Sequence, residues 1–427
     1  MSTTSTTRSK YSFRLSAFAA ALAVIALCLI AVRAPHIYTE FRANPPDAFS
    51  DFNYYLFAFT TVLRHPGEAS LLYDQPSVIA FLHSIGTHHI GVDSFYAYPP
   101  QFALAFAPLG ALAPLAAKLV WVSVSVVLFA LGVAMTAKFA YRGADRGVTL
   151  LIVALALLSR PFLDDIYWGQ SNELLFFLLA ATFFFIDRGN RYLAGVFLGV
   201  AIAIKVTPIP VAGLLLLRRE WRTVITTVVT AVAITIFTGL KLGFNVIWHY
   251  FVADMSALNT KGLAIGSAPF NNSLRGAIQT LAESAGMQLS QQALFATWLV
   301  TAVTVSVLAM VLVYRRSVDR RMDFALAAAT MLVGSPMLEP VHMVAALIPL
   351  AVLFGTSFER PGVRLSAFGP RVEMLLAACA ILILVFAPRS ATYTLAMWII
   401  YALCLGRYFP PAGAPRDARA GEARFAA

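Results

Sequence analysis

The chain has 427 residues, 59% hydrophobic and only 12% charged, with a mean hydropathy of +0.75. Soluble domains are roughly 45–50% apolar and ~25% charged, so the composition excludes an ordinary soluble enzyme and defines an integral membrane protein. The formal charge of +11 does not point to nucleic acid, because the basic residues sit in short turns between apolar segments, as in cytoplasmic membrane loops.

The first apolar segment, Phe18–Val32, follows Arg8, Lys10 and Arg14 and lacks a small-x-small cleavage site. It reads as an uncleaved signal-anchor with the N-terminus inside. Measured against the ~20 apolar residues needed for a crossing, the pattern predicts about 12 transmembrane helices, with 11–13 as the range. They fall at 15–33, 115–137, 148–163, 171–187, 192–205, 207–217, 222–241, 292–314, 323–335, 341–357, 371–387 and 391–406. The piece 99–112 contains Pro99, Pro100 and Pro108 and reads as re-entrant or interfacial.

Basic turns such as Lys138/Arg142/Arg146 and Arg315/Arg316/Arg320/Arg321 alternate with outer segments carrying Asp51, Asp74, Asp93, Asp164, Asp165, Asp254 and Glu339. This bias puts both termini in the cytoplasm. Two long outer segments, 34–98 and 242–291, contain amphipathic helical stretches, Asp51–Arg64 and Asn245–Leu258, suited to the interface. One membrane domain over 1–409 and a disordered tail over 410–427 complete the organisation. Cys28, Cys379 and Cys404 lie in apolar segments without pairwise spacing, so neither a disulfide framework nor a zinc site is expected. There is no nucleotide loop, catalytic Ser/His/Asp order or metal-ligand spacing, and no cofactor or metal is expected.

A few polar residues need a reason to be where they are. Asp51 is a carboxylate among aromatics at the start of Asp51-Phe52-Asn53-Tyr54-Tyr55. Lys205 ends an apolar helix just before Pro208 and Pro210, which break helical hydrogen bonding. A central lysine costs about 2.5–3.5 kcal/mol on insertion, so it either snorkels to the interface or binds an anion such as a lipid-linked phosphate. Asp164 and Asp165 stand in a polar stretch running to Gln170 and Asn172. It reads either as a solvated outer loop or as metal or acid–base chemistry, and Gln170 and Asn172 either bind sugar hydroxyls or cap the next helix. Arg275, after Asn271-Asn272-Ser273, is an interface anchor or a second phosphate cation. His342, after Ser335-Pro336, is a proton carrier, a phosphate donor or a structural histidine.

Taken in order, several pieces resemble glycosyltransferase family 87, the polyprenol-phosphate-mannose-dependent mannosyltransferases of the GT-C class. They are Asp51-Phe52-x-Tyr54-Tyr55, Leu72-Tyr73-Asp74, Tyr98-Pro99-Pro100 with Pro108-Leu109, and Gly169-Gln170-x-Asn172. The series continues with Ala194-Gly195-x-x-x-Gly199 through Lys205-x-x-Pro208, then Asn271-Asn272-Ser273, then Ser335-Pro336 before His342. It covers nearly residues 45–345. Glu339-Pro340-Val341 departs from the more aromatic or His-rich hairpin expected there.

The resemblance implies an all-α, GT-C-type multispanning bundle that inverts configuration. It implies transfer of a hexose, mannose first, from a polyprenyl monophosphate to a hydroxyl of a lipid or glycan acceptor on the outer face. Carried onto this chain, Asp51 is the base and Lys205, Arg275 and His342 bind the donor phosphate. Tyr54, Tyr98, Gln170, Asn172 and Asn272 contact sugar or acceptor. One carboxylate can suffice. A glycosidase needs two because its leaving alkoxide must be protonated, whereas a phosphate leaves already charged and needs only cations. The alternatives are the same fold with an arabinofuranose or glucose donor, and a transporter or flippase for a lipid-linked glycan. The last predicts ionisable residues midway along helices; here they gather at outer helix ends.

Overall fold

The computed structural model describes residues 3–88, 90, 94–255, 271–316, 318–360, 365–387 and 392–409. Among them every regular element is a helix. The first part of the chain contains α1 (Thr3–Ala43), α2 (Ser50–Arg64), α3 (Gln75–Ser84) and α4 (Pro100–Ala105). Next come α5 (Pro114–Ala140), α6 (Arg146–Leu158), α7 (Arg160–Trp168), α8 (Asn172–Asp187), α9 (Arg191–Ile204), α10 (Ile209–Leu217) and α11 (Trp221–Leu242). After α12 (Phe244–His249) follow α13 (Leu274–Ser284), α14 (Gln291–Arg315), α15 (Arg320–Val333), α16 (Leu347–Glu359), α17 (Pro370–Phe386) and α18 (Thr392–Gly406).

Among the described residues, five segments are long and apolar enough to cross a bilayer: Leu15–Val32, Pro114–Ala140, Trp221–Leu242, Gln291–Arg315 and Pro340–Glu359. A sixth is counted if α6 and α7, bent by 45° at Ser159, form one broken span. On α5, Val120, Val124, Val127 and Leu131 are exposed at helical spacing, and Ile225, Val228, Val232 and Ile236 repeat the pattern on α11. Such outward apolar stripes need a hydrocarbon solvent. The chain is a helical, multi-pass membrane protein.

The expected count of about twelve is not reached by full-length helices. Proline and polar breaks cut the apolar sequence into shorter pieces. Helix α9 has 14 residues and α10 has nine. At 1.5 Å per residue, the longer of these reaches roughly 21 Å against a core of ~30 Å. The predicted span 148–163 runs through the α6–α7 break, where Pro161 in the first turn of α7 cannot donate to the preceding helix.

Other expectations match the described residues closely. Helix α2 begins one residue before Asp51 and ends at Arg64. The proline-rich piece 99–112 forms two short helices, α4 and the 3-10 turn Ala107–Ala111, packed on α2. The predicted stretch Asn245–Leu258 begins as α12 and a widened turn, Tyr250–Asp254. Its last residues, and the tail 410–427, lie outside the described residues. The three cysteines carry no disulfide.

Helix α9 sits tightly on α11 through two glycines. A Cβ on Gly199 would lie 2.6 Å from the Thr230 Cβ and 2.7 Å from the Thr227 carbonyl, and one on Gly195 would lie 2.6 Å from the Thr223 carbonyl. This small-xxx-small seam brings two backbones together where lipid offers no hydrophobic drive, and it fixes the height of Lys205 at the end of α9. At the far end of α5, Arg321 donates to the Ala140 carbonyl (2.9 Å) and pairs with Glu359 (2.7 Å), tying α15 to α16. Gly199→Val is expected to separate α9 from α11 and lower the apparent unfolding temperature in detergent by several degrees. A thermal scan against wild type checks this, with Val196→Ala on the exposed side of α9 as the neutral control.

Candidate active site

Asp51 is presented by a rigid turn. Lys118, on α5 and 1% exposed, donates from Nζ to the carbonyls of Pro45 (3.0 Å), Pro46 (2.8 Å) and Ala48 (2.7 Å). A buried ammonium with three donors is satisfied by three carbonyls, and it staples the chain between α1 and α2. Asn53 adds a bond from Nδ2 to the Pro46 carbonyl (2.9 Å), and Asp47 accepts from Thr87, Asn44 and the His88 amide. Phe49, the last residue before α2, has φ 51° and ψ 51°. A non-glycine residue in that region is strained, and it persists only where its surroundings over-determine it.

A second loop presses on this turn. Gly169, at φ +71°, caps α7, and a Cβ there would lie 2.9 Å from the Phe49 Cβ and 3.0 Å from the Phe52 Cβ. Only glycine combines that dihedral with that approach. Trp121 pins the loop by donating to the carbonyls of Gly169 (3.0 Å) and Gln170 (3.1 Å). Gln170 then reaches Asp51, its Nε2 donating to Oδ2 at 2.6 Å. The half-buried Asp51 lies in the first turn of α2, where the helix dipole favours negative charge.

Lys205 occupies the C-cap of α9 with an extended backbone. Its Nζ donates to Asn172 Oδ1 (2.9 Å) and lies 5.3 Å from the Tyr98 ring centroid, within cation–π range. Asn172 is held in turn by Asp165, which accepts from its side-chain amide (2.6 Å) and its backbone N–H (3.2 Å). With both N–H groups of Asn172 directed at one carboxyl, its carbonyl oxygen is left facing Lys205. The solvated-loop reading of this stretch is therefore corrected: Asp164 and Asp165 are on α7 and buried, at 3% and 0% exposure. Asp164 pairs with Arg160 (2.7 Å), one turn earlier. Asp165 also lies near the buried Glu173 of α8.

The third wall is the hairpin between α15 and α16. The N–H of Glu339 donates to His342 Nδ1 (3.1 Å), which leaves the neutral ring's proton on Nε2. The Met337 carbonyl is the backbone acceptor close to that ring. His342 lines a small cavity of about 20 Å³ together with Lys205, Asn172, Thr207 and Ser335, and its apolar side is Leu175, Met331, Leu332, Leu338 and Ala345. Gln170 Nε2 also faces Glu339 Oε2 at 3.3 Å, so one amide bridges Asp51 and Glu339. Burial and the Asp51 charge push the Glu339 carboxyl up to about 7, against the pull of Lys205.

The structure thus assembles Asp51, Tyr98, Gln170, Asn172, Lys205 and His342 around one site. Tyr98 is fixed by Ser171 (2.8 Å) and Tyr55 (3.1 Å) through its hydroxyl. The remaining expected residues show other contacts. The Tyr54 hydroxyl faces Ser94 Oγ at 3.4 Å. Asn272 is tied through its backbone, its N–H donating to the Leu338 carbonyl (2.6 Å) and its carbonyl accepting from Thr394 (2.8 Å). With Asn271 and Ser273 bonding Leu338 and Pro336, it braces the Glu339 hairpin. Arg275 is 2% exposed, which does not suit an interface anchor, and burial pushes its guanidinium down to about 10. Among the described residues no hydrogen bond or ion pair links it to Asp51 or Lys205.

Sequence reasoning marked Glu339 only as a departure in the last hairpin and passed over Lys118 altogether. The signal for Lys118 was available, since it is an ionisable residue in an apolar helix and such residues need an explanation. Among the described residues no group of three or more His, Cys, Asp or Glu side chains could hold a metal ion.

These features define a class: a multi-pass helical membrane protein with a carboxylate and an ammonium facing one part-apolar site. Residues 96–338 match glycosyltransferase family 87, and the chain belongs to that family. The match takes in Tyr98, Gln170, Asn172 and Lys205, while Asp51 precedes it and Glu339 and His342 follow it. The chain is 28% identical over 215 residues to a polyprenol-phosphate-mannose-dependent alpha-(1-2)-phosphatidylinositol mannoside mannosyltransferase of Mycolicibacterium smegmatis, covering 47% of each protein. It is 26% identical over 281 residues to the corresponding phosphatidylinositol pentamannoside mannosyltransferase of Mycobacterium tuberculosis, 64% of this chain and 62% of that protein. An alpha-(1->3)-arabinofuranosyltransferase of Corynebacterium glutamicum shares 25% identity over 142 residues, 33% of this chain and 34% of its own length. The chain therefore spans about half the length of the first of these relatives and under two thirds of the others. No solved structure matches it.

The Glu339 carboxyl gives a pH prediction with a definite sign. Its folded-state value is raised from 4.5 to about 7, so its contribution to stability is fully present below 4.5 and is lost as pH rises through about 7. Glu339→Gln should remove that decline. Apparent unfolding temperatures from pH 5 to 8 check this, and parallel curves for variant and wild type would contradict it.

Proposed function

We propose that the protein is an inverting glycosyltransferase that moves mannose from a polyprenyl monophosphate to a hydroxyl of a lipid or glycan acceptor. The observation that carries this reading is the pair of Asp51 and Lys205, joined through Gln170 and Asn172, whose side chains contact at 3.4 Å. A base and a phosphate-binding cation then stand at the two ends of one chain of amide contacts, and in a single in-line displacement the sugar lies between them. The acceptor oxygen attacks the anomeric carbon as its proton passes to Asp51. The bond from that carbon to the phosphate oxygen breaks, and the departing charge falls to Lys205 and the Nε2–H of His342. Cations already in place when the charge develops do more than groups that must reorganise.

The apolar wall of the Lys205 cavity suits the first isoprene units of the donor. The names of the mycobacterial relatives support mannose as the sugar and a phosphatidylinositol mannoside as the first acceptor to try. The Corynebacterium relative supports a second reading with the same phosphate chemistry and an arabinofuranosyl donor. The basic turns support cytoplasmic termini and an extracytoplasmic site. The short apolar helices α8, α9 and α10 then complete a GT-C-type bundle as partial and broken crossings, packed in protein where their unpaired backbone is tolerated.

Asp51→Asn keeps an acceptor for Gln170 but cannot take a proton. Turnover of polyprenyl-phosphate mannose should fall about 10²–10⁴-fold, while donor binding stays within about twofold. Unchanged turnover would remove Asp51 as the base. Lys205→Ala should weaken donor binding about ten- to a hundred-fold, the loss of one charge-assisted contact, with acceptor binding little changed. Equal donor affinity in wild type and variant would return Lys205 to a structural role.

A further inference from the structure

Glu339 stands between the two halves of the site. Its Oε2 accepts at 3.3 Å from the Gln170 amide that also donates to Asp51, and its carboxyl lies within electrostatic reach of both Asp51 and Lys205. It is also rigidly presented. Its backbone N–H is held by His342, its neighbour Leu338 is pinned by Asn271 (3.2 Å) and Asn272 (2.6 Å), and Pro340 fixes the chain beyond it. Glu339 as a residue is half-buried.

In the transfer reaction proposed above, on which this inference rests, the acceptor oxygen lies at Asp51 and the phosphate at Lys205. The sugar ring must then lie between them. A carboxyl that faces both ends is positioned against that ring, and a carboxyl beside a polyol has one ready use, which is to hydrogen-bond a ring hydroxyl. We propose that Glu339 binds a hydroxyl of the transferred sugar and so determines which donor is accepted. Asp51 remains the proton acceptor, because its bond to Gln170 is the shorter and its helix N-terminus favours the ionised form.

The experiment uses the purified full chain, polyprenyl-phosphate mannose and its monodeoxy analogues, with wild type, Glu339→Ala and Glu339→Gln. A hydrogen bond to a charged group predicts that wild type handles one deoxy donor with a kcat/KM about ten- to a hundred-fold below that of the parent sugar. Glu339→Ala should bring those two donors within about twofold of each other while leaving the ratios for the other positions unchanged. Glu339→Gln keeps the shape of the side chain and carries the test if the alanine variant does not fold; it should shrink the same ratio at least severalfold. Unaltered ratios for every deoxy donor would overturn the proposal while leaving the transferase reading standing. Loss of turnover on all donors in Glu339→Gln, with donor binding intact, would overturn it by making Glu339 the base. If wild type transfers from no polyprenyl-phosphate sugar, arabinofuranose included, the reaction falls and the proposal falls with it.

Discussion

An ammonium group at the end of an apolar helix is costly to desolvate, and the site is organised around giving Lys205 partners. Burying an isolated charge costs several kcal/mol unless it is paired and hydrogen-bonded. Here the partners are an amide oxygen and an aromatic face instead of a carboxylate in direct contact. That choice matters, because a lysine neutralised by a bonded carboxylate would have little left for an anionic ligand. Asp165 stands one residue further out and orients Asn172. The seam of Gly195 and Gly199 sets where α9 ends, and Pro208 stops the helix from continuing past Lys205.

Asp51 is placed by an independent set of contacts. The turn before α2 is held by a buried lysine, by Asp47, and by the packing of Gly169 against Phe49 and Phe52. The left-handed Phe49 shows that this packing is strong enough to impose a disfavoured backbone. A base positioned this way loses little orientation entropy on reaction, which is where much of the advantage of an enclosed site arises. Gln170 joins the two systems, since its loop is fixed by Trp121 and its amide touches Asp51, Glu339 and Asn172.

Much of this was legible in the sequence because it rests on local rules. The helix beginning at Asp51, the proline-broken piece at 99–112 and the interruption at Lys205–Pro208 follow from apolar runs and proline chemistry. What was not legible depends on contacts between distant segments. Asp164 and Asp165 look like loop residues because they are charged and adjacent. They are helical and buried because Arg160 and Asn172 satisfy them, and no periodicity reveals that. Asn272, expected from sequence to contact sugar, also braces through its backbone the hairpin that carries Glu339 and His342, which no motif reveals. The span count read 148–163 as one crossing, whereas the structure breaks that run at Ser159 into two shorter helices.

The central claim is that the Lys205 cavity receives the donor phosphate with Asp51 facing it across the sugar. The most direct measurement is a structure of the protein in a lipid nanodisc with polyprenyl phosphate, the product lacking the sugar. The account predicts the phosphate within hydrogen-bond reach of Lys205 Nζ and His342 Nε2, the isoprenoid along Leu175, Met331 and Leu338, and a gap the size of one sugar between the phosphate and Asp51. A phosphate bound away from Lys205, or one in direct contact with Asp51, would contradict it.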